Sequence, residues 1–331
     1  CDRMEQLFKL LAKAAVRSKG LESCWKRCEE VWLCLRLFSQ QEQHEWIQWF
    51  ETFHRSFSFY RTPLDISKAF ASFAFASEAS WVFTSATLSV NNNFDFFTQR
   101  LGLQGAETAT WDSPFDYVHQ ALMYVPLGLP EPRDPNYTAC MIDKIIPVLE
   151  ASEGRAFILF TSHRALQEAA KLLSAASNFK LLVQGDLPKQ QMLEQFRRLD
   201  RAVLLGTASF WEGVDVRGDA LSCVIIDKLP FASPGDPVTK ARLEHMSANG
   251  QSPFNEFQLP SAALTLKQGV GRLIRDVEDK GVLVLCDPRL SSKGYGRVFI
   301  KSLPAMPISQ DLADVKRFFQ RTNLQKAAVN E

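Results

Sequence analysis

The chain has 331 residues, 46% of them hydrophobic, and 38 Lys and Arg stand against 37 Asp and Glu for a formal net charge of +1. That apolar share excludes a disordered chain, and the length suffices for two core-bearing domains of roughly 150 residues each. Near-neutrality excludes any argument from bulk charge for a nucleic-acid partner; a basic surface would have to be local.

In chain order, "MEQLFKLLAKAAVRSKG" (4–20) is an amphipathic helix with Gly20 as its stop signal. "LESCWKRCEEVWLCLRLFSQ" (21–40) reads as a second helix. "EWIQWFETFHRSFSFY" (45–60) is aromatic with partial alternation and reads as strands, which Pro63 breaks. "LDISKAFASFAFASEAS" (64–80) follows as a helix. From Trp81 the rhythm changes. Short apolar runs alternate with helical stretches: "WVFTSAT" (81–87), "AFILFTS" (156–162), "KLLVQG" (180–185), "AVLLGT" (202–207), "SCVIID" (222–227) and "GVLVLCD" (281–287). Continuous apolar strands joined by helices predict a parallel sheet covered on both faces, a doubly wound α/β domain. The Asn-, Gly- and Pro-rich stretch from 91 to about 138 reads as an irregular connection.

No apolar run approaches the ~18 residues needed to cross a membrane, and no signal peptide is visible. The seven cysteines are odd in number, and Cys34, Cys140, Cys223 and Cys286 sit in apolar runs. Reduced thiols in a cytoplasmic protein are expected. A chain opening on Cys1 rather than Met reads as a piece of something longer. Cys24, Cys28 and Cys34 raise a metal site, but no second Cys pair or nearby His completes a tetrahedral set. They read as helix-packing thiols, and no metal ligand is assigned.

Ligands of open parallel sheets sit off the carboxyl ends of the strands. There the chain places Thr84-Ser85-Ala86-Thr87, Thr161-Ser162-His163-Arg164, Gln184-Gly185-Asp186, Thr207-Ala208-Ser209, Asp227-Lys228 and Asp287-Pro288-Arg289. Each alone is ordinary capping chemistry; a row of them on one edge describes a surface for a phosphate-rich ligand. "QGVGRLIR" (268–275) puts Gln268, Arg272 and Arg275 on one helical stripe, with Leu266, Val270, Leu273, Ile274 and Val277 opposite. Gly269 and Gly271 suggest close approach of something to that backbone. Taken alone, the segment reads first as an ordinary amphipathic helix with two solvated arginines.

Together and in this order, "VFTSATLS", "SPFDY", "ILFTSH", "LVQGD", "GTASFWEGVDVRGDALSCVIIDKLPF", "QGVGRLIR" and "GYGRVFIKSLP" resemble the C-terminal half of a superfamily 2 DNA helicase of the XPD-like, DinG/YoaA branch. The wording of the first and fifth blocks is nearest to its YoaA members. The resemblance covers about residues 60–305 and implies an α/β fold. A RecA-like doubly wound parallel sheet (helicase domain 2, about 113–331) would follow the tail of an Arch-type helical insertion (about 1–58) and the end of helicase domain 1 (about 59–112).

It further implies an ATP- and Mg²⁺-dependent 5′-to-3′ DNA helicase of repair or replication. Arg272 and Arg275 become candidate arginine fingers, with Gln268 beside them. Glu212, Gly213 and Asp215 would line and couple the nucleotide cleft, and Thr84, Ser85 and Thr87 would relay nucleotide state. Thr161, Ser162, Ser209 and Trp211 would meet single-stranded DNA, although Trp211 reads equally as a core filler. There is no Gly-Lys dipeptide and no Asp-Glu-Ala-His in the chain, so the phosphate-binding loop and the Mg²⁺ carboxylate of such a motor lie elsewhere. The family's 4Fe–4S cysteines lie between those two motifs and are likewise expected outside this chain. It should be inactive as an ATPase alone.

Near the end, Ser309 precedes a helix beginning near Gln310, and Leu312, Val315, Phe318 and Phe319 form an apolar stripe. Either the stripe folds back on the core, or Val315, Phe318 and Phe319 anchor a partner. The resemblance suggests as that partner the chi subunit of the DNA polymerase III clamp loader. The chain itself would then act as a docking module. An RNA helicase fragment is a further alternative, because motor motifs contact backbone rather than base.

Overall fold

The computed structural model of the chain describes residues 2–39, 45–211, 216 and 218–329. The helices are α1 (Asp2–Ala14), α2 (Lys19–Ser39), α3 (Ser67–Phe75), α4 (Asp95–Leu101), α5 (Tyr117–Gln120), α6 (Tyr137–Ala151), α7 (His163–Ala176), α8 (Lys189–Arg198), α9 (Ala208–Trp211), α10 (Pro237–Ala248), α11 (Leu259–Val270), α12 (Arg289–Ser292), α13 (Gly296–Ser302) and α14 (Leu312–Val329). The strands are β1 (Trp46–Thr52), β2 (Phe57–Pro63), β3 (Ala121–Tyr124), β4 (Ala156–Leu159), β5 (Lys180–Val183), β6 (Ala202–Gly206), β7 (Cys223–Ile226), β8 (Gly281–Leu285) and β9 (Ile308–Ser309).

The chain forms two compact units. The first comprises Cys1–Ser77, Arg100–Gly102 and Ser233–Pro253. Its α1 and α2 are joined by the single 3-10 turn Ala15–Arg17, and Phe8 stacks on Trp32 with ring centroids 5.1 Å apart. Gly20 does not end the first helix. The Ser18 hydroxyl accepts the Leu21 N–H at 3.2 Å and starts α2, which leaves Gly20 in the first turn of the second helix. β1 and β2 pair antiparallel, with Trp49 stacked on Tyr60 at 4.1 Å. Pro63 does not break the run; it is the last residue of β2, opposite Trp46, a strand end where a missing N–H is tolerated. In α10, Asp236 caps by accepting the Thr239 N–H at 2.7 Å, and Arg242 donates to the Leu64 carbonyl at 3.1 Å. These units cut across the expected divisions. β2 runs through the 58/59 boundary, and 233–253 clusters with the N-terminal helices rather than with the sheet.

The second unit holds a seven-stranded parallel sheet in the order β5-β6-β4-β7-β8-β3-β9. Successive residues serve opposite faces, so each strand feeds two cores. Phe157, Leu159, Leu204 and Val224 pack with Phe196 of α8, Trp211 of α9, Leu266 of α11 and Phe299 of α13. Ala156, Ile158, Val203 and Ile225 pack with Ile145 of α6, Leu166 of α7 and Val315 and Phe319 of α14. This is the doubly wound α/β fold the alternation predicts.

Two further expectations shift. "WVFTSAT" forms no strand, and among the described residues none pairs with it. Val82 is 82% exposed. An apolar strand needs neighbouring strands on its ladder and cover on both faces, and among the described residues no strand pairs with this run, whose Phe83 meets Phe97 edge-on at 5.6 Å. The 91–138 stretch is less irregular than read, since it holds α4, α5 and β3. β3 is fully buried and pairs in parallel with both β8 and β9.

Candidate functional site

The carboxyl ends of β4, β5, β6, β7 and β8 lie side by side, and their polar residues interlock. Asp227, ending β7, is 1% exposed. Its carboxylate accepts the Thr161 N–H at 3.0 Å, the Thr161 hydroxyl at 3.3 Å and the Lys228 N–H at 2.6 Å. Burial pushes its carboxyl up to about 7, against the opposing pull of the Lys228 N–H, the Lys228 charge and the Thr161 donors. Thr161 is thus held by the neighbouring strand, while Ser162 caps α7 by accepting the Ala165 N–H at 3.2 Å. Both residues are exposed at the strand end. One strand over, the Gln184 side-chain oxygen accepts the Thr207 N–H at 2.6 Å and the Thr207 hydroxyl at 3.0 Å. Ser209 is exposed, and its carbonyl accepts the Lys189 ammonium. Asp287, ending β8, accepts the Leu229 N–H at 2.8 Å and pairs with Arg289 at 2.5 Å.

The "QGVGRLIR" segment is only half helix. α11 ends at Val270, and Gly271 closes it by donating to the carbonyls of Lys267 and Gly269. Arg272 and Arg275 therefore stand on the connection to β8, not on a continued helical stripe. The two glycines explain the break. A Cβ on Gly269 would come within 2.8 Å of the Trp211 ring, so that glycine clears space for an indole. Trp211 is correspondingly 3% exposed. Its ring offers no face to a base, and the core-filling alternative is the one realised. Leu266, Val270, Leu273 and Ile274 are buried as expected, but Val277 is 65% exposed because the helical period has already ended.

Arg272 reaches back across this packing. Its Nε and Nη2 donate to the Trp211 carbonyl at 3.2 and 2.9 Å. Gln268 Nε2 donates to the Thr87 hydroxyl at 3.5 Å, the outer limit of a hydrogen bond. Ser85 lies 3.2 Å from Thr87, hydroxyl to hydroxyl, and accepts the Thr87 N–H; Thr84 beside it is exposed. Residues singled out far apart in sequence (84–87, 161–162, 209–211 and 268–275) thus sit within one unit. Glu212, Gly213 and Asp215 lie outside the described residues.

The C-terminal stripe turns inward. Val315 is 0% and Phe319 3% exposed, packed among the residues that cover β3 and β8, and Phe318 is half-buried against the same core. Of the two alternatives for this stripe, Val315 and Phe319 take the one that folds back on the core, while Leu324 further along α14 is 71% exposed. Two residues that sequence reading passed over, Gln120 and Asp279, are buried polar groups that shape the segment carrying Arg275.

Residues 145–306 match the helicase C-terminal domain family. The chain is 43% identical over 319 residues to the ATP-dependent DNA helicase YoaA of Haemophilus influenzae, covering 96% of this chain and 50% of that protein. It is 44% identical over 317 residues to the protein of the same name in Escherichia coli. The chain belongs to the DinG/YoaA helicase family. It also matches the ATP-dependent helicase DinG of Mycobacterium tuberculosis at 36% identity, over 78% of this chain and 40% of that protein. The chain spans about half the length of the curated YoaA relatives it matches. Among solved structures, one described as XPD_APO superposes with a TM-score of 0.60 at 17% identity, covering 91% of this chain and 61% of the other. That likeness bears on the fold alone, the doubly wound α/β architecture described above.

Family membership raises the question of cofactors. Guanidinium groups at Arg272 and Arg275 suit a polyphosphate, which matches their planar fork. For a metal cluster the residues do not fit. Cys24, Cys28 and Cys34 lie along α2 with Cys28 buried and Cys34 exposed, and among the described residues no three of His, Cys, Asp and Glu gather. No helix among the described residues is long and apolar enough to cross a membrane.

Proposed function

We propose that this chain is the second motor domain of an ATP-dependent DNA helicase, supplying the far wall of the nucleotide cleft and part of the single-strand track. The observation that carries this reading is the convergence, in one unit, of Gln268 on Thr87 and of Arg272 on the Trp211 carbonyl. Three separated segments meet where nucleotide and nucleic-acid responses must be joined. Bound ATP and Mg²⁺ supply the phosphoryl chemistry. Arg272 and Arg275 stabilise charge on the transferring phosphoryl group, and Gln268 with Thr87 and Ser85 reports which nucleotide is present. Glu212, Gly213 and Asp215, outside the described residues, are assigned to the cleft by the family resemblance alone. Thr161, Ser162 and Ser209 offer hydroxyls to strand phosphates; Trp211 supports them from beneath.

By the same family resemblance the complete protein moves 5′ to 3′ on DNA and carries a 4Fe–4S cluster on residues outside this chain. This chain alone has no phosphate-binding Gly-Lys loop and should not turn over ATP, with or without single-stranded DNA. A contact with the chi subunit of the DNA polymerase III clamp loader, suggested by the same resemblance, would have to use surface other than the buried Val315 and Phe319. Unpaired DNA is preferred over RNA on the relatives' names; competition between DNA and RNA strands of one sequence decides it.

In the complete helicase, Arg272→Ala should lower kcat by about 10³-fold or more while leaving ATP binding within a few-fold. A kcat within a few-fold of wild type sinks the finger assignment.

A further inference from the structure

Between α11 and β8 the backbone that carries both arginines has no regular structure of its own. Leu273 and Ile274 anchor it at 2% and 3% exposure. Beyond Ile274 it is held by two buried polar side chains that the sequence patterns did not flag. The Asp279 carboxylate, 8% exposed, accepts the Arg275 N–H at 2.8 Å and the Asp276 N–H at 2.9 Å through Oδ2. Through Oδ1 it accepts the Gly218 N–H at 3.1 Å. Gln120, 5% exposed at the end of α5, points its amide nitrogen into the same loop. Its two N–H groups are shared among the carbonyls of Asp276 at 3.0 Å, Val277 at 2.9 Å and Asp279 at 3.0 Å.

We propose that Asp279 and Gln120 are positioning residues for Arg275, and that Asp279 mechanically joins the "GTASFWEGVDVRGDALSC" block to the arginine loop. The argument is one of hydrogen-bond capacity. An ionised carboxylate is an acceptor only, with room for several N–H groups. Here it is filled by three donors from two segments 57 or more residues apart in sequence. Gly218 cannot shift without dragging on the group that also fixes the Arg275 and Asp276 amides. Gln120 seals the opposite side of the loop by tying down its carbonyls. Neither side chain is offered to the ligand. Their effect on chemistry runs through the placement of Arg275, where a misplacement of about 1 Å can cost on the order of 10²-fold in rate.

This rests on the finger reading of Arg275, and the test separates the two. In the complete helicase, steady-state ATP hydrolysis with single-stranded DNA is measured for Asp279→Asn, Gln120→Met, Arg275→Ala and the Asp279→Asn/Arg275→Ala double variant. Thermal melting is recorded for each. Asp279→Asn replaces one acceptor oxygen by an NH₂ that faces donor amides. Its kcat should fall roughly 10–100-fold with KM for ATP within about threefold, since positioning in the transition state is lost and ground-state binding is not. The double variant should be no slower than Arg275→Ala alone, because the carboxylate acts through that arginine. Gln120→Met leaves the carboxylate in place and should give a smaller loss of kcat of the same character; it carries the test if Asp279→Asn does not fold. Full turnover in Arg275→Ala overturns the finger reading and this inference with it. Turnover lost in Arg275→Ala but retained in both Asp279→Asn and Gln120→Met overturns this inference alone, as does a double variant whose losses multiply.

Discussion

Two stretches of this chain read alike and fold differently. "AFILFTS" and "WVFTSAT" are both short apolar runs containing Phe and ending in a Thr-Ser pair or its continuation. The first becomes β4, hydrogen-bonded between β6 and β7. The second forms no strand. Ile158 is 0% exposed and Val82 is 82% exposed. The residues do not account for the difference; the neighbours do. A strand covered on two faces is a property of the sheet, and a run that joins no ladder among the described residues leaves Val82 in solvent.

The largest effect tests that directly. Ile158→Asp places a carboxylate between two sheet faces with no partner and should cost more than about 4 kcal/mol, enough to prevent folding of this unit. Val82→Asp should change stability by no more than about 0.5 kcal/mol. Denaturant unfolding of this chain measures both. A Val82→Asp variant as damaged as Ile158→Asp would mean that the run is buried in solution, and the comparison would collapse.

What was legible follows the same division. Five of the six apolar runs became strands because each carried its own signal of β-branched and Leu-rich residues and found a partner on the sheet. The polar strand ends were legible as a row because parallel topology sets them on one edge. What could not be read was anything fixed by distant packing. "QGVGRLIR" has a helical period, yet the need to seat Trp211 against Gly269 and the cap at Gly271 end the helix before either arginine. β3 was hidden because four residues in a Pro- and Gly-rich stretch carry no periodicity. Gln120 and Asp279 were invisible because their partners lie up to 159 residues away. The Phe318/Phe319 pair showed the stripe correctly and left open which surface it would cover; the core covered it.

A middle-sized effect lies at the end of β7, next to β4. The Asp227 carboxyl stands at about 7 in the folded chain against an ordinary 3.8, chiefly through burial. The folded state therefore binds a proton at a pH where the unfolded chain has released it. Stability from this group is present on the acidic side and is lost as pH rises from about 4 to about 7, with no further change above that window. Asp227→Asn, neutral throughout, should flatten that part of the stability profile, read as the urea midpoint at several pH values. An unchanged slope would show that water reaches the carboxylate. The same replacement takes one acceptor from Thr161 or Lys228, so at acid pH the variant should be the less stable of the two.

The smallest effect is the sharpest, because it compares the two Thr-Ser pairs themselves. Ser162 is the N-cap of α7: its backbone is extended, and its hydroxyl accepts the Ala165 N–H at 3.2 Å, one of the orphan donors of the first turn. Ser85 also accepts an N–H at 3.2 Å, from Thr87, but in an exposed turn with no helix behind it. An exposed turn amide left without Ser85 finds water. An N-terminal helix amide left without Ser162 is shielded by its own turn and loses a fixed acceptor. Ser162→Ala should therefore cost about 1 kcal/mol and Ser85→Ala close to nothing, measured by denaturant unfolding of this chain. Equal losses would place Ser85 in a structured strand end like that of β4. In the complete helicase the order should reverse for ATP hydrolysis. Ser85 lies one hydrogen bond from Thr87 and, through it, from Gln268, whereas the Ser162 hydroxyl is engaged in capping α7.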